Sequence, residues 1–314
     1  MGKERVRAED LHRVLDADVG KLKSGSDWAR WLDAAALFPT YGFGNVVLIN
    51  LQMPQASWVA GAQVWEKLGR RVNAGQAIRI LAPLRSWTAV AAGSDAAGRT
   101  QGVEGRVIGF RVNAVYDVTA TVGPPIYLPR PPVDQDRTTA GVLWEALVRE
   151  AAAGGFAVDV RATGDASEGF TDYEARRIVV ADHLDDFRAA ARLAHEVGHA
   201  RMHSPAGTEE AGRLMCRGLR GIEAASAAYV VLAHHGLGVD TDSFDHITGW
   251  AKLVNPNDPA AVLKATGARV VNTARQLIAA TDKHVDAQRT PLGPVPARPL
   301  DSAFLAPDLD GPAL

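Results

Sequence analysis

Apolar residues recur at helical spacing in the first part of the chain. The spacing predicts two helices within residues 8–37, joined near residues 24–26. Residues 41–54 form a loop that runs into a short apolar element, and its periodicity fits a helix or a strand. Residues 57–69 again have helical spacing and end at Gly69, a residue type that suits the position after a helix.

The pattern then changes to one typical of strands. Residues 77–83 and 106–122 are rich in β-branched and apolar residues, and residues 91–105 between them predict an exposed loop of small and polar residues. Clustered prolines and charges follow at residues 127–139, a composition typical of a linker between domains. A second domain is therefore expected after this segment.

The rear part restarts with a predicted helix at residues 140–153 and strands at 156–160 and 176–181. Asp182 is expected to cap the helix that follows, which carries residues 193–203. Further helices are predicted over residues 218–235, 243–253, 258–266 and 268–282. The remaining residues are too rich in proline to pack and predict a disordered tail. Together these elements predict an α+β protein of two domains.

Charge separates the two parts of the chain, although the formal net charge of the 314 residues is only -2. Residues 1–130 carry 16 basic and 11 acidic residues, whereas residues 131–314 carry 18 and 25. The charged N-terminus does not resemble a signal peptide, and the apolar runs are far too short to span a membrane. A single cysteine, Cys216, excludes an intrachain disulfide. We therefore expect a soluble cytoplasmic protein with no membrane partner.

The sequence LAHEVGHARMH at residues 193–203 has the spacing of a zinc site. On a helix, His195 and His199 project from one face, so that both imidazoles can reach one cation. Glu196 is rotated by about 100° from His195, beside the metal. Zinc lowers the pKa of a bound water to about 7, and Glu196 is the candidate general base that takes its proton. The motif predicts one Zn²⁺ per chain, although sites of this kind also accept manganese or iron.

A catalytic zinc needs a third protein ligand. His203 is a poor candidate, because it lies eight residues from His195, roughly 12 Å along an unbroken helix. It is expected to lie at the helix end or behind the ligands. Other candidates are Glu209, Glu210, Glu223, His234, His235, Asp240, Asp242, Asp245 and His246. Glu223 is favoured, because its neighbours are small or apolar and a buried carboxylate there needs a cation. The alternative to a metal ligand is that Glu223 lies on a solvated face of its helix.

The front part has a local excess of basic residues. Between Glu66 and Arg111 there are eight basic and three acidic residues, and five of the seven tryptophans lie in the front part. Guanidinium groups and exposed aromatic rings suit the backbone and bases of single-stranded DNA. The candidate DNA-binding residues are Lys67, Arg70, Arg71, Arg79, Arg85 and Trp87, the last expected on a loop. The alternatives are a solvated helix end for the basic residues and a core position for the tryptophan.

Five segments resemble the ArdC-type antirestriction proteins, relatives of the ImmA/IrrE peptidases. In the rear part these are LAHEVGHARMH, RGIEAASAAYVVLAHHGL and DSFDHITGW; in the front part they are GNVVLINLQMPQASWVAGAQVWEKLGRRVNAGQAIRILAP and VYDVTATVGPP. The resemblance covers roughly residues 8–255. It implies a single-stranded-DNA-binding domain at residues 1–128, a linker at 129–139, a zincin-like metallopeptidase domain at 140–288 and a tail at 289–314.

In that family, a Glu-Ala pair on a later helix supplies the third zinc ligand, which implies the same role for Glu223 before Ala224. The chain departs from the family at Gly221 and Ala225, where the family helix carries further acids. If one of those acids were the ligand in the family, this chain would lack its third metal ligand.

The resemblance implies a zinc metalloendopeptidase that acts on DNA-associated proteins and protects the DNA of mobile elements against restriction. Two alternatives stay open. One is a non-catalytic DNA-binding protein whose metal site is structural or vestigial. The other is a regulatory peptidase that cleaves a repressor, in which the front domain binds protein.

Overall fold

The computed structural model describes residues 6–22, 24–89, 103–126, 137–164, 168–203, 218–238, 244 and 246–288. Its helices are α1 (Ala8–Val19), α2 (Gly25–Leu37), α3 (Phe43–Gln52), α4 (Ala62–Lys67), α5 (Arg137–Ala153), α6 (Asp186–Met202), α7 (Gly218–His234), α8 (Ile247–Val254) and α9 (Pro259–Gln288). Its strands are β1 (Val59–Gly61), β2 (Arg71–Val72), β3 (Ile78–Ala89), β4 (Val103–Asp117), β5 (Thr121–Val122), β6 (Ala157–Val160), β7 (Gly169–Asp172) and β8 (Arg177–Val180). Helices packed on small sheets confirm the α+β class. None of the helices in these ranges has the length and apolar character needed to cross a membrane.

The strands form three small sheets. In the front part, β4 lies between β1 and β3, antiparallel to both, and β2 pairs with β5. In the rear part, β8 lies between β6, which is parallel to it, and β7, which is antiparallel. Strand β7 is therefore an edge strand.

Several predicted boundaries are wrong, and tertiary contacts explain them. Residues 57–69 begin as strand β1, because residues 59–61 pair with β4 before helix α4 starts. The helix of the metal motif begins after Asp185 rather than Asp182, since the Asp185 carboxylate accepts from the backbone N–H of Arg188 at 2.8 Å. The helices predicted on either side of Gly267 are one helix, α9.

Other predictions fall partly outside the described residues. The predicted loop at 91–105 is described only where β4 begins, at residues 103–105. Residues 41–54 are described in full and contain the helix α3, one of the two structures that their periodicity fits. Of the predicted linker at 129–139, the last three residues already belong to α5. The tail at 289–314 lies outside the described residues altogether.

Helix α3 covers the free edge of β3 with two amide side chains. Asn45 donates to the carbonyl of Leu81 and accepts from its N–H, both at 2.9 Å. Gln52, seven residues later, makes the same pair of bonds with the backbone of Arg79, at 2.8 and 2.9 Å. The two amides thus bond to the outward-facing backbone groups of β3 as a neighbouring strand would.

Front and rear parts share one apolar core instead of meeting at a polar interface. A single cluster of buried residues includes Trp28 and Leu32 of α2 together with Val230 of α7 and Val271 of α9. The glycine in α9, Gly267, allows close contact with α3, because a Cβ there would lie 2.2 Å from the ring of Phe43. The predicted division at residues 129–139 is therefore not a division of the core.

We predict that Asn45→Ala lowers the free energy of unfolding by about 1–3 kcal/mol, because it leaves two backbone groups of Leu81 without their partner. Urea unfolding of this variant measures the loss. Gln63→Ala, an exposed amide on α4, is the matched control and is expected to change stability by less than about 0.5 kcal/mol. Equal stabilities for the two variants would contradict the role given to Asn45.

Candidate metal centre

The candidate site lies on α6, which packs against the edge strand β7 and between α5 and α7. Gly198 faces α7, because a Cβ at this position would lie in ordinary contact, at 3.4 Å, with the backbone of Ala224. The motif residues therefore face buried surfaces: Glu196 and His199 are almost fully buried, and His195 is half-buried at one side of a cleft.

His195 and His199 converge as the motif predicts. Their Nε2 atoms are 3.1 Å apart, a separation that suits two ligands of one cation at Zn–N distances of about 2.0–2.1 Å. Burial, reinforced by the charge of Arg192 and by the neighbouring histidines, holds the pKa of His195 well below its usual value. Burial, followed by the charges of His203, Arg192 and Arg220, lowers the pKa of His199 to about 3. Both rings are thus uncharged at neutral pH, as metal ligands must be.

His203 lies where α6 ends and links His199 to Glu223. The Nδ1 atoms of His199 and His203 are 2.9 Å apart, and His203 Nε2 lies 2.8 Å from Glu223 Oε2. If His203 donates to Glu223 from Nε2, its Nδ1 accepts from Nδ1 of His199. The Nε2 of His199 then keeps a lone pair on the side of His195. The prediction that His203 lies at the helix end is confirmed.

Glu223 is buried, with 3% of its surface exposed, but its cation is an arginine. Arg269 of α9 donates from Nε to Glu223 Oε1 at 2.9 Å and makes a second contact through Nη2. Thr266 also donates to the same oxygen, at 3.3 Å. Burial raises the pKa of Glu223, but the hydrogen bonds from His203 and Arg269 outweigh it and hold the pKa below its usual value. The carboxylate is thus satisfied without a metal.

Glu196, the predicted general base, is fully buried and also paired with an arginine. Its carboxylate lies 2.6 Å from Nη2 of Arg192, one turn earlier on α6. Thr171 of β7 donates to its other oxygen at 2.8 Å. Arg192 in addition bonds to the carbonyl of Gly169 on the same strand. This arrangement ties α6 to β7 and turns the Glu196 carboxylate towards the sheet.

The cleft beside His195 has a volume of about 350 Å³. On the side of α7 its wall is formed by Ala225, Ala228 and Leu232, and Arg192 lies on the side of α6. None of these α7 residues carries an oxygen atom in its side chain that could bind a metal.

The donor set does not fit a catalytic zinc in this conformation. Within the described ranges, no cluster of three or more His, Cys, Asp and Glu side chains could hold a metal ion. Of the other predicted candidates, His234 and His235 bond elsewhere, to Asp282 and Thr281 respectively. Glu209, Glu210, Asp240, Asp242 and Asp245 lie outside the described residues. Glu223 as a ligand stays a prediction, which requires its carboxylate to leave Arg269 and His203.

The candidate DNA-binding residues have different surroundings. Arg70 is held by the segment that follows β4, since it donates to Thr121 Oγ1 at 2.7 Å and to the carbonyls of residues 121, 123 and 124. This bonding favours a structural role for Arg70. Lys67, Arg71, Arg79 and Arg85 are exposed. Trp87 lies in strand β3 instead of the expected loop, paired with residue 105; its side chain lies outside the described residues.

The sequence interpretation missed both arginines of the site. Arg192 could have been found, because it precedes Glu196 by four residues and such pairs are neighbours on a helix. Arg269 gave no such signal, since it is 46 residues from Glu223 and reaches it only through the packing of α9 on α7.

We predict that Arg192→Met destabilises the protein by about 3 kcal/mol, because it leaves the buried Glu196 carboxylate without its counterion. Urea unfolding measures the effect, and Arg192→Met combined with Glu196→Gln is expected to recover most of it. Arg188→Met is the control: its ion pair with Glu168 is exposed, so a loss below about 1 kcal/mol is expected. Equal losses for the two arginine variants would rule out a buried pair.

Comparison with known proteins gives a similarity of fold. No family model and no curated protein matches the chain. Two crystal structures of the antirestriction ArdC protein from the R388 plasmid are similar to it, each with 13% sequence identity. The metal-free structure has a TM-score of 0.42, with 79% of this chain and 86% of that chain covered. The Mn(II)-bound structure has a TM-score of 0.44, with 89% and 99% covered. At this sequence identity the similarity concerns the fold alone.

Proposed function

We propose that this chain is a DNA-associated protein of the antirestriction type in which the zincin-like centre does not act as a peptidase. The proposal rests on one observation: both carboxylates that a zinc peptidase would use are paired with arginines. Arg192 neutralises Glu196, and Arg269 neutralises Glu223. Protection of incoming DNA against restriction is the proposed setting, and it rests on the resemblance of the sequence.

A zinc peptidase needs three protein ligands, an open coordination position and a carboxylate that can take a proton from bound water. Here two imidazoles converge, but the α7 residues that line the cleft together with His195 carry no oxygen ligand; they are Ala225, Ala228 and Leu232. A divalent cation beside His195 would also lie close to the guanidinium of Arg192, whose charge opposes it. These features support weak cation binding by His195 and His199 and argue against the activation of a water.

The zinc metalloendopeptidase is the second candidate function, because the 3.1 Å separation of the two Nε2 atoms suits a shared cation. It requires Glu223 to leave Arg269 and Glu196 to turn from Arg192. Metal-loaded protein that cleaves an unfolded protein substrate, with the cleavage lost in Glu196→Gln while the metal is retained, would establish this function and contradict our first proposal.

We predict that Ala225→Glu tightens the binding of Zn²⁺ or Mn²⁺, because the new carboxylate lies in the cleft with His195. The expected gain in metal affinity is at least about tenfold, because even a residue that only hydrogen-bonds to a metal ligand changes the affinity by at least about this factor. Isothermal titration of both metals against both proteins measures it. Ala233→Glu, on α7 but outside the cleft, is the control. A wild-type protein that binds zinc as tightly as Ala225→Glu would contradict the proposal of an incomplete site.

The exposed basic residues of the front part support the proposal of DNA binding. Lys67, Arg71, Arg79 and Arg85 are exposed, and Arg79 and Arg85 both lie in β3. A repressor-cleaving regulator, the third possibility, would instead use this surface for protein.

We predict that replacing Lys67, Arg71, Arg79 and Arg85 together by serine weakens binding to single-stranded DNA. It should also flatten the salt dependence of binding, by up to about 0.7 in the logarithmic slope per lost phosphate contact. Fluorescence anisotropy across a salt series measures both. The control replaces four exposed basic residues elsewhere, Arg13, Lys252, Arg275 and Lys283, and so changes the net charge equally. Equal effects of the two variants would contradict a specific DNA surface.

A further inference from the structure

We infer that the outer part of the β3–β4 ribbon binds single-stranded DNA, with a base stacked on the ring of Phe110 and with arginines in contact with the phosphates. This ribbon arm consists of residues 83–86 of β3 and 106–111 of β4, which pair with each other. The inference deepens the proposed DNA binding and rests on it. It adds the residue that contacts a base and two arginines of β4.

The ribbon arm extends beyond the part of the sheet that other elements cover. Strand β1 pairs with β4 only at residues 115–117, and the amides of α3 bond to β3 at residues 79 and 81. Within the described ranges, no third strand pairs with the arm. Every residue of the arm except Gly109 is exposed. The arm is therefore open to a ligand along its length.

The charge of the ribbon arm is positive and is not balanced by acids. Arg85, Arg106 and Arg111 make no ion pair with any residue that the structure describes, and no side chain of the arm is acidic. Exposed arginines elsewhere, such as Arg13 and Arg30, pair with aspartates on their own helices. Three guanidinium groups without acids beside them are complementary to a polyanion such as the DNA backbone.

The ribbon arm also exposes apolar side chains between these arginines. Phe110 is 44% exposed and Ile108 is 66% exposed, and Leu84 is exposed as well. Ile108 is the extra residue of a β-bulge, since Gly109 pairs with Leu84 and residue 107 pairs with the next residue of β3. Apolar groups left in water are costly, so a ligand with apolar surface would gain by covering them.

Phe110 is placed to stack on a base. Its ring stands nearly perpendicular to the ring of His12 on α1, at 77° and with 5.4 Å between centroids. This contact limits rotation of the Phe110 ring and leaves the exposed part available. An aromatic ring of this kind binds any base, because every base has a flat face.

Arginines lie within reach of a strand stacked on Phe110. Pro83 is opposite Phe110, and Arg85 follows two residues later, about 7 Å along the strand. The axes of paired strands are only about 5 Å apart. The long side chains of Arg106 and Arg111 can therefore also reach a strand that lies along the arm.

The combination of charge and apolar surface favours a single strand over a duplex. In a duplex the bases are already stacked and paired, so the arginines would find phosphates but Phe110 would find no free base. A single strand offers both groups at once. Single-stranded DNA is therefore the occupant to which the arm is complementary.

The test compares an oligothymidylate with an abasic strand of equal length by fluorescence anisotropy. Wild-type protein is expected to bind the oligothymidylate more tightly, since only this strand has bases. Phe110→Ala should weaken its binding by about fivefold or more, the effect of removing an aromatic ring from one base, and leave the abasic strand unaffected. Trp250→Ala, which removes an exposed aromatic ring from α8, is the matched control and should change neither affinity.

Two further variants keep the test independent of folding defects. Phe110→Leu retains an apolar side chain beside His12 but has no ring, and it should lose affinity for the oligothymidylate as Phe110→Ala does. Phe110→Trp retains a ring and should bind like the wild type. Circular dichroism checks that each variant is folded.

The arginines are tested separately. Arg106→Ser combined with Arg111→Ser should weaken the binding of both strands alike and flatten the salt dependence, because phosphate contacts are lost. An unchanged affinity and salt slope in this double variant would overturn the role of the β4 arginines.

Equal binding of the two strands by the wild type would overturn the base contact and leave the proposed DNA binding intact. So would a Phe110→Ala variant that loses affinity for both strands equally, or one that binds like Trp250→Ala. A duplex bound as tightly as the oligothymidylate would overturn the preference for a single strand. Wild-type protein that binds neither strand would overturn the proposed DNA binding and the inference with it.

Discussion

The structure depends on the cost of burying a carboxylate. Glu196 and Glu223 are both almost fully enclosed, and an isolated charge there would be prohibitive. In a zinc peptidase the metal supplies the compensating charge. In this chain the side chains of Arg192 and Arg269 supply it, and each also links two elements of structure. The same two arginines therefore hold α6 on β7 and α7 on α9 and neutralise the two buried carboxylates.

Helix α7 connects the candidate site to the front part of the chain. One side carries Glu223 and contributes Ala225 to the cleft, whereas Ser226 and Tyr229 bond to α2. Ser226 accepts from the indole of Trp28 at 2.8 Å, and Tyr229 donates to Asp33 at 2.6 Å. Burial and the bond to Asp33 raise the pKa of Tyr229 well above its usual value, so that it stays a donor. A displacement of α2 would thus act directly on the helix that lines the cleft.

Local patterns in the sequence predicted what depends on local structure. The α+β class, the helix of the metal motif and the convergence of His195 and His199 follow from spacing along the chain. The buried Glu223 has a cation beside it, as its small and apolar neighbours in the sequence predict, but the identity of that cation depends on where α9 packs. Likewise, the helical spacing of residues 57–69 extends over β1, but the pairing of β1 with β4, more than fifty residues away, makes it a strand. Contacts between residues that are far apart in the sequence cannot be predicted from the periodicity of its apolar residues.

The two amides of α3 also fix the register of β3. Asn45 and Gln52 each need a backbone N–H and a carbonyl that point away from β4, and such pairs recur at every second residue. A slip of one residue would turn both pairs inwards. A slip of two towards the end of the strand would set Asn45 against Pro83, which has no N–H to donate. The proline thus excludes one of the two nearest alternative alignments of strand and helix.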